Sequence, residues 1–136
     1  MIEKECKFWP IDRARLYNAL CEITEPEFST ILRNSYFTFP AAKPDSLFRI
    51  RSIGRQAILG AKGPRAGGSV KVREEYECLV SKRSVASDLL VVAGAKSMAR
   101  TEERWRAQWA LPDGVTVCID RLPDLRIPDY AEIEVH

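Results

Sequence analysis

Residues Ile2–Phe8 read IEKECKF. Glu3, Glu5 and Lys7 alternate with Ile2, Cys6 and Phe8, and only Lys4 breaks the order. A period of two is that of a β-strand, whose successive side chains leave opposite faces. Two carboxylates and an ammonium therefore share one face, and a mostly apolar set shares the other. If the apolar face is turned in, this is an ordinary half-buried strand. If the charged face is turned in, the protein has a polar interior, and a polar interior is a site.

The same alternation recurs along the chain. Arg49 and Arg51 share a face against Phe48 and Ile50, and Lys62 shares parity with Ile58 and Gly60. Arg73, Glu75 and Glu77 fall together, as do Arg100, Glu102, Arg104 and Arg106 opposite Trp105. Asp120 lies opposite Val117 and Ile119, and Glu132 and Glu134 oppose Ala131, Ile133 and Val135. Parity alone also fits a sandwich that leaves these charges in water. Like-signed neighbours at i and i+2 argue against that, because they repel one another and a solvated face has no reason to collect them. The glutamates offer oxygen ligands suited to Mg²⁺ or Mn²⁺. Lys7, Arg49, Arg51, Lys62, Arg73 and Arg104 offer donors matched to phosphate oxygens. A metal-chelated polyphosphate needs both sets at once.

Between these stretches the pattern changes period. In IDRARLYNALCEI, Leu16, Ala19, Leu20 and Ile23 recur at helical spacing, with Asp12 as N-cap. SVASDLLVVAGA is a second apolar run of helix length, stopped by Gly94. TEPEFSTI reads as connection or frayed helix, and LRNSYFTFP as a strand ended by Pro40. SLFRIRSIG, RQAILGAKGP, SVKVREEYECLVS, VTVCID and YAEIEVH read as strands, with turns at GPRAGG and PDG. MARTEERWRAQWAL suits a helix by charge and a strand by alternation. Seven or eight strands and two helices, joined by hairpin-like turns, describe an antiparallel, mostly β (α+β) protein.

Composition bounds the function. At 136 residues the length is that of one domain, spanning 1–136. It is large enough to fold without disulfides or metals. A net charge of +2 is too small to argue for nucleic acid or a membrane surface. Cys6, Cys21, Cys78 and Cys118 form no C-x-x-C pair, which favours reduced thiols and a cytoplasmic location. No apolar run approaches the roughly 20 residues of a membrane span. The only histidine is His136, so Ser-His and Cys-His nucleophile pairs are set aside, and GAKGPRAGGS lacks the Lys-Ser/Thr ending of a P-loop.

Taken in order, EKECK, LFRIR, LGAKGP, VREEYE, VTVCID and AEIEV resemble the E-x-E-x-K, R-x-R, lysine, R-x-E-x-E, aspartate and E-x-E strands of the CYTH superfamily. These are the triphosphate tunnel metalloenzymes, which include class IV adenylyl cyclases and thiamine triphosphatases. The resemblance runs from Glu3 to Glu134. It implies a closed antiparallel eight-stranded β-barrel, or tunnel, with its charges turned inward. The apolar outer faces would be covered by the two helices and by a second subunit.

By the same resemblance Glu3, Glu5, Asp120, Glu132 and Glu134 would hold Mg²⁺ or Mn²⁺. Lys7, Arg49, Arg51, Lys62, Arg73 and Arg104, with Arg100 in reserve, would grip a triphosphate. Glu3, Glu5, Lys7, Glu75 and Glu77 would serve the chemistry, which is phosphoryl transfer from an inorganic or organic triphosphate to water. The family carries a Lys/Arg-x-Arg pair before the PDG-like hairpin. Here Arg104 is matched to it, with Glu102 where a base is expected and Arg106 as a further donor. The chain ends directly after the last E-x-E strand, where relatives commonly continue, which implies a minimal or truncated member. Cyclic AMP formation from ATP and capture of polyphosphate without turnover are the alternatives. An RNA-binding β-domain would need Trp105 and Trp109 exposed beside Arg104 and Arg106.

Overall fold

The computed structural model describes the backbone of residues 1–136 and every side chain except those of 99 and 100. The eight strands are β1 (Ile2–Phe8), β2 (Phe28–Thr38), β3 (Leu47–Ile53), β4 (Gln56–Lys62), β5 (Lys71–Val80), β6 (Lys96–Leu111), β7 (Val115–Arg121) and β8 (Tyr130–Val135). They close into a barrel in the order β1-β5-β4-β3-β2-β6-β7-β8, antiparallel at every seam. Helices α1 (Arg13–Ile23) and α2 (Arg83–Val92) lie outside it.

Register carries one parity around the whole barrel, because directly paired residues point the same way. Glu5 pairs with Lys71 on one side and Glu134 on the other. Lys7 pairs with Glu132, Lys62 with Glu75, Arg51 with Asn34, and Arg106 with Asp120. The charged face of IEKECKF therefore looks in, and Glu3 is only 1% exposed.

The apolar faces look out, and the two helices cover part of them. α1 lays Leu16, Tyr17, Leu20 and Cys21 on Ala107, Trp109, Val117 and Ile119 of β6 and β7. Tyr17 meets Trp109 edge-on, with ring centroids 5.2 Å apart. Asp12 caps this helix by accepting from the Arg15 backbone N–H at 3.1 Å. α2 sets Ala86 and Leu90 against Phe37, Ile50, Ala57 and Leu59. Burial of each large side chain in these clusters contributes about 1.5–3 kcal/mol. Trp109 is fully buried and Trp105 packs toward Tyr17, so these two rings do not form an exposed aromatic platform.

Two local expectations change. Residues 28–31 are strand, not connection: Phe28 to Ile31 pair in register with Gln108 to Trp105, and this long ladder outweighs the turn signal of Pro26. Residues 96–111 form one strand of 16 residues, so alternation prevails over helix-like charge content. Neither helix is long and apolar enough to cross a membrane.

Candidate active site

Cations and carboxylates alternate around the inner wall. Lys62 of β4 donates to both oxygens of Glu3 at 2.8 and 2.6 Å and stands 3.1 Å from Glu75. Arg49 of β3 donates to Glu75 at 3.3 Å and to Glu77 at 3.0 Å. Lys7 lies 2.5 Å from Glu132 and 3.6 Å from Glu5, whose carboxylate also accepts from Lys71 at 3.3 Å. Arg106 grips Asp120 with two donors, at 2.7 and 2.5 Å, and reaches Glu132 as well. Arg104 donates to Asp120 at 3.1 Å and to the Tyr130 hydroxyl at 2.7 Å, and it pairs with Glu102. Burial would make each of these charges costly alone; paired, they are tolerable.

The wall encloses a cavity of about 180 Å³ lined by Glu5, Lys7, Tyr36, Arg73, Arg104 and Arg106 among others. A second cavity of about 100 Å³, toward Glu75, Glu77 and Thr116, shares Arg49, Arg51, Lys62 and Glu134 with it. Lys7, Lys71, Arg73 and Arg104 give the first end of the tunnel a basic rim, while Glu75, Glu77 and Glu134 balance Arg49, Arg51 and Lys62 at the other.

Arg51 differs from the other buried cations. It is 8% exposed, and among the described residues its side chain has one partner, the neutral Oδ1 of Asn34 at 3.0 Å. Burial first, then the neighbouring Arg49, Arg106 and Arg104, push the guanidinium down to about 10, and Glu77 only partly offsets them. Arg73 also forms no ion pair among the described residues, but it is half-exposed.

The expected metal ligands divide into two groups. Glu3, Glu5 and Glu134 each present an oxygen within 4.8 Å of the others. Burial, then Glu132 and Glu3, push Glu134 up to about 7 against the pull of Arg106 and Lys62. Such crowding of carboxylates is relieved by a hard divalent cation, and the donor set fits one. Glu132 and Asp120 instead hold Arg106, with Lys7 and Arg104 beside them. Glu132 stays well below the usual carboxylate range because Arg106 and Lys7 outweigh its burial. Cys118 also comes near Glu132 and Glu134, but burial pushes its thiol strongly up, and it donates to Gln108 at 3.5 Å.

Arg104 and Arg106 both line the cavity, so an Arg-x-Arg pair is present one step later on β6 than the spacing of Glu102 and Arg104 suggests. Glu102 accepts from the Tyr36 hydroxyl at 3.1 Å. Arg100 lies outside the described side chains. Lys71, Tyr36, Asn34 and Tyr130 were missed in the sequence. Lys71 carried a signal, since it shares the parity of Arg73, Glu75 and Glu77. The other three have no charge to betray an inward face.

No family model matches the chain, and no curated protein matches it. Solved structures do. The chain is similar to the PH1819 protein of Pyrococcus horikoshii, with TM-score 0.79 and 24% identity over 98% of this chain and 77% of that one. A conserved hypothetical protein of Pyrococcus furiosus gives TM-score 0.77 at 24% identity, covering 98% and 78%. HpAC1 of Hippeastrum, an adenylyl cyclase candidate described as having a dominant triphosphatase activity, gives 0.66 at 20%, covering 98% and 77%. The chain shares the closed eight-stranded barrel fold of these structures.

Proposed function

We propose that this protein is a divalent-metal-dependent triphosphatase, binding the triphosphate of an inorganic or organic substrate inside the barrel and transferring its terminal phosphoryl group to water. The single observation that carries the reading is Arg51. A buried guanidinium with only a neutral partner, set beside Arg49 and Lys62 on a cavity wall, is complete only when an anion arrives. The triphosphatase activity described for HpAC1 agrees with this reading.

Arg51, Arg49, Lys62, Arg73 and Arg106 would bind non-bridging oxygens and hold the chain of phosphates along the tunnel. Most of these donors are already fixed by glutamates, so little reorganisation is needed as charge spreads over the phosphoryl oxygens. Glu75 and Glu77 hold Arg49 along the wall over Gly60. Glu3, Glu5 and Glu134 would hold the cation, Mg²⁺ or Mn²⁺, with Asp120 and Glu132 orienting the arginines beside it. When bound, the ion neutralises phosphate charge and polarises a phosphoryl oxygen. Tyr36 and Leu47 line the cavity beside these basic groups and would contact an organic group carried by the triphosphate.

The four free cysteines agree with a reducing, cytoplasmic setting. Ile2, Phe8, Tyr76, Ile133 and Val135 on the outer wall of β8, β1 and β5 are exposed, and a homodimer would cover them.

The test is release of phosphate from tripolyphosphate, thiamine triphosphate and ATP with each metal, with cyclic AMP measured in parallel. Metal-dependent phosphate release supports the proposal. Cyclic AMP as the main product from ATP replaces it with a cyclase, and tight binding without turnover replaces it with a capture module.

A further inference from the structure

We infer that Asn34 is a positioning residue: as a neutral acceptor it aims Arg51 while leaving the guanidinium's charge free for the substrate phosphate. This rests on the reading of the tunnel as a triphosphate site. Asn34 stands opposite Arg51 across the β2–β3 ladder and is 0% exposed. Its Oδ1 takes the Arg51 Nε–H at 3.0 Å. That bond fixes the plane of the guanidinium and leaves both terminal nitrogens uncommitted.

The contrast with the other cations of the inner wall, the half-exposed Arg73 aside, gives the inference its force. Lys7, Arg49, Lys62, Lys71, Arg104 and Arg106 each rest on at least one carboxylate. An aspartate at 34 has nearly the same shape and would complete the pattern, yet the chain has an amide. The amide costs stability, because a buried cation goes without a counter-charge. Its Nδ2 is also buried with no partner among the described residues. On the other flank, Glu102 faces Asn34 across the β2–β6 ladder, but its carboxylate is taken by Arg104 and Tyr36. The positive field of Arg49, Arg104 and Arg106 on Arg51 is only partly offset by Glu77 in the free protein.

The prediction is therefore two effects of opposite sign. Asn34→Asp should raise thermal stability without ligand, by about 2–4 °C for a chain of this size. The same substitution should weaken tripolyphosphate binding by about ten- to a hundredfold, because the new carboxylate competes for the guanidinium. Asn34→Ser, a smaller neutral acceptor, should lower stability while keeping affinity closer to wild type than Asn34→Asp does. Both are read on the full chain, by melting without ligand and by calorimetric titration with inorganic tripolyphosphate.

An Asn34→Asp protein that binds tripolyphosphate as tightly as wild type overturns the inference. So does one that melts lower than wild type or fails to fold. Equal losses of affinity in Asn34→Ser and Asn34→Asp point to packing alone and overturn it too. Wild-type protein that does not bind tripolyphosphate sinks the functional reading instead. The melting comparison then still decides whether Asn34 leaves Arg51 uncompensated.

Discussion

Glu132 and Glu134 stand two residues apart on the inner face of β8, and their surroundings drive them in opposite directions. Burial disfavours the charge of both. Glu132 has Arg106 and Lys7 against it and stays ionised far into acid. Glu134 is left facing Glu132 and Glu3, and it takes up a proton at about 7. One strand thus supplies a fixed counter-ion and a carboxylate that awaits a cation.

A pH dependence follows from Glu134. Its folded-state value lies above the ordinary 4.5, so between about 4.5 and 7 the folded protein binds more protons than the unfolded chain. The stability associated with that proton is fully present below 4.5 and is lost as pH rises through about 7. Glu132 has the reverse sign: its contribution is present above the ordinary carboxylate value and disappears as pH falls. Metal-free protein should therefore melt lower at pH 8 than at pH 6. Added Mg²⁺ or Mn²⁺ should raise the melting temperature more at pH 8, where it no longer displaces a proton. Thermal melts at both pH values, with and without the ion, decide the point; an equal metal effect at both removes Glu134 from the ligand set.

Arg106 and Arg51 are both buried guanidiniums, yet their removal should act on different quantities. Arg106→Ala strands Asp120 and Glu132 without their main partner, which costs about 3–5 kcal/mol and shows in urea unfolding. Arg51→Ala removes a charge that has no counter-ion, so unfolding should change little. Its loss should appear as KM raised about tenfold or more, with the phosphate contact gone. A large loss of stability in Arg51→Ala would mean that the side chain is structural.

The inner wall was largely legible because charge and parity report the same thing. In IEKECKF, FRIR and AEIEV the like-signed residues at i and i+2 could not all be content in water, and they are the residues that face in. Phe28–Ile31 was hidden because its pairing partner, Gln108 to Trp105, lies about eighty residues away and no local signal reports it. Which carboxylates pair with arginine and which crowd together was hidden for a related reason. Glu132 and Glu134 look identical in AEIEV; only the neighbours brought by β1, β6 and β7 separate them. Asn34 and Tyr36 were invisible because a neutral side chain on a strand carries no indication of the face it takes.

The cluster of Glu3, Glu5 and Glu134 can be tested through its least entangled member. Glu3 also neutralises Lys62, so Glu3→Gln should lose stability along with activity. Glu5 is mostly buried, but its cations, Lys7 and Lys71, are half-exposed and Lys7 also pairs with Glu132, so Glu5→Gln should fold normally by circular dichroism. Turnover with Mg²⁺ or Mn²⁺ should nevertheless fall on the order of a hundredfold, with a higher metal concentration needed for half-maximal rate. Unchanged metal dependence in Glu5→Gln would transfer the ion to other ligands.

The hydrophobic core lies outside the barrel, and this separates stability from function in a way an ordinary sandwich does not. Leu20 of α1 is buried on Ala107, Trp109, Val117 and Ile119, all on the outward parity of β6 and β7. Leu20→Ala leaves a cavity there and should cost about 2–5 kcal/mol by urea unfolding. The residues of the inner wall are on the other side of the strands. Below the lowered melting temperature, kcat and KM should therefore stay close to wild type. A mutant whose KM rises in step with its loss of stability would show that α1 sets the spacing of Arg104, Arg106 and Asp120 through the sheet, and the outer packing would then belong to the site.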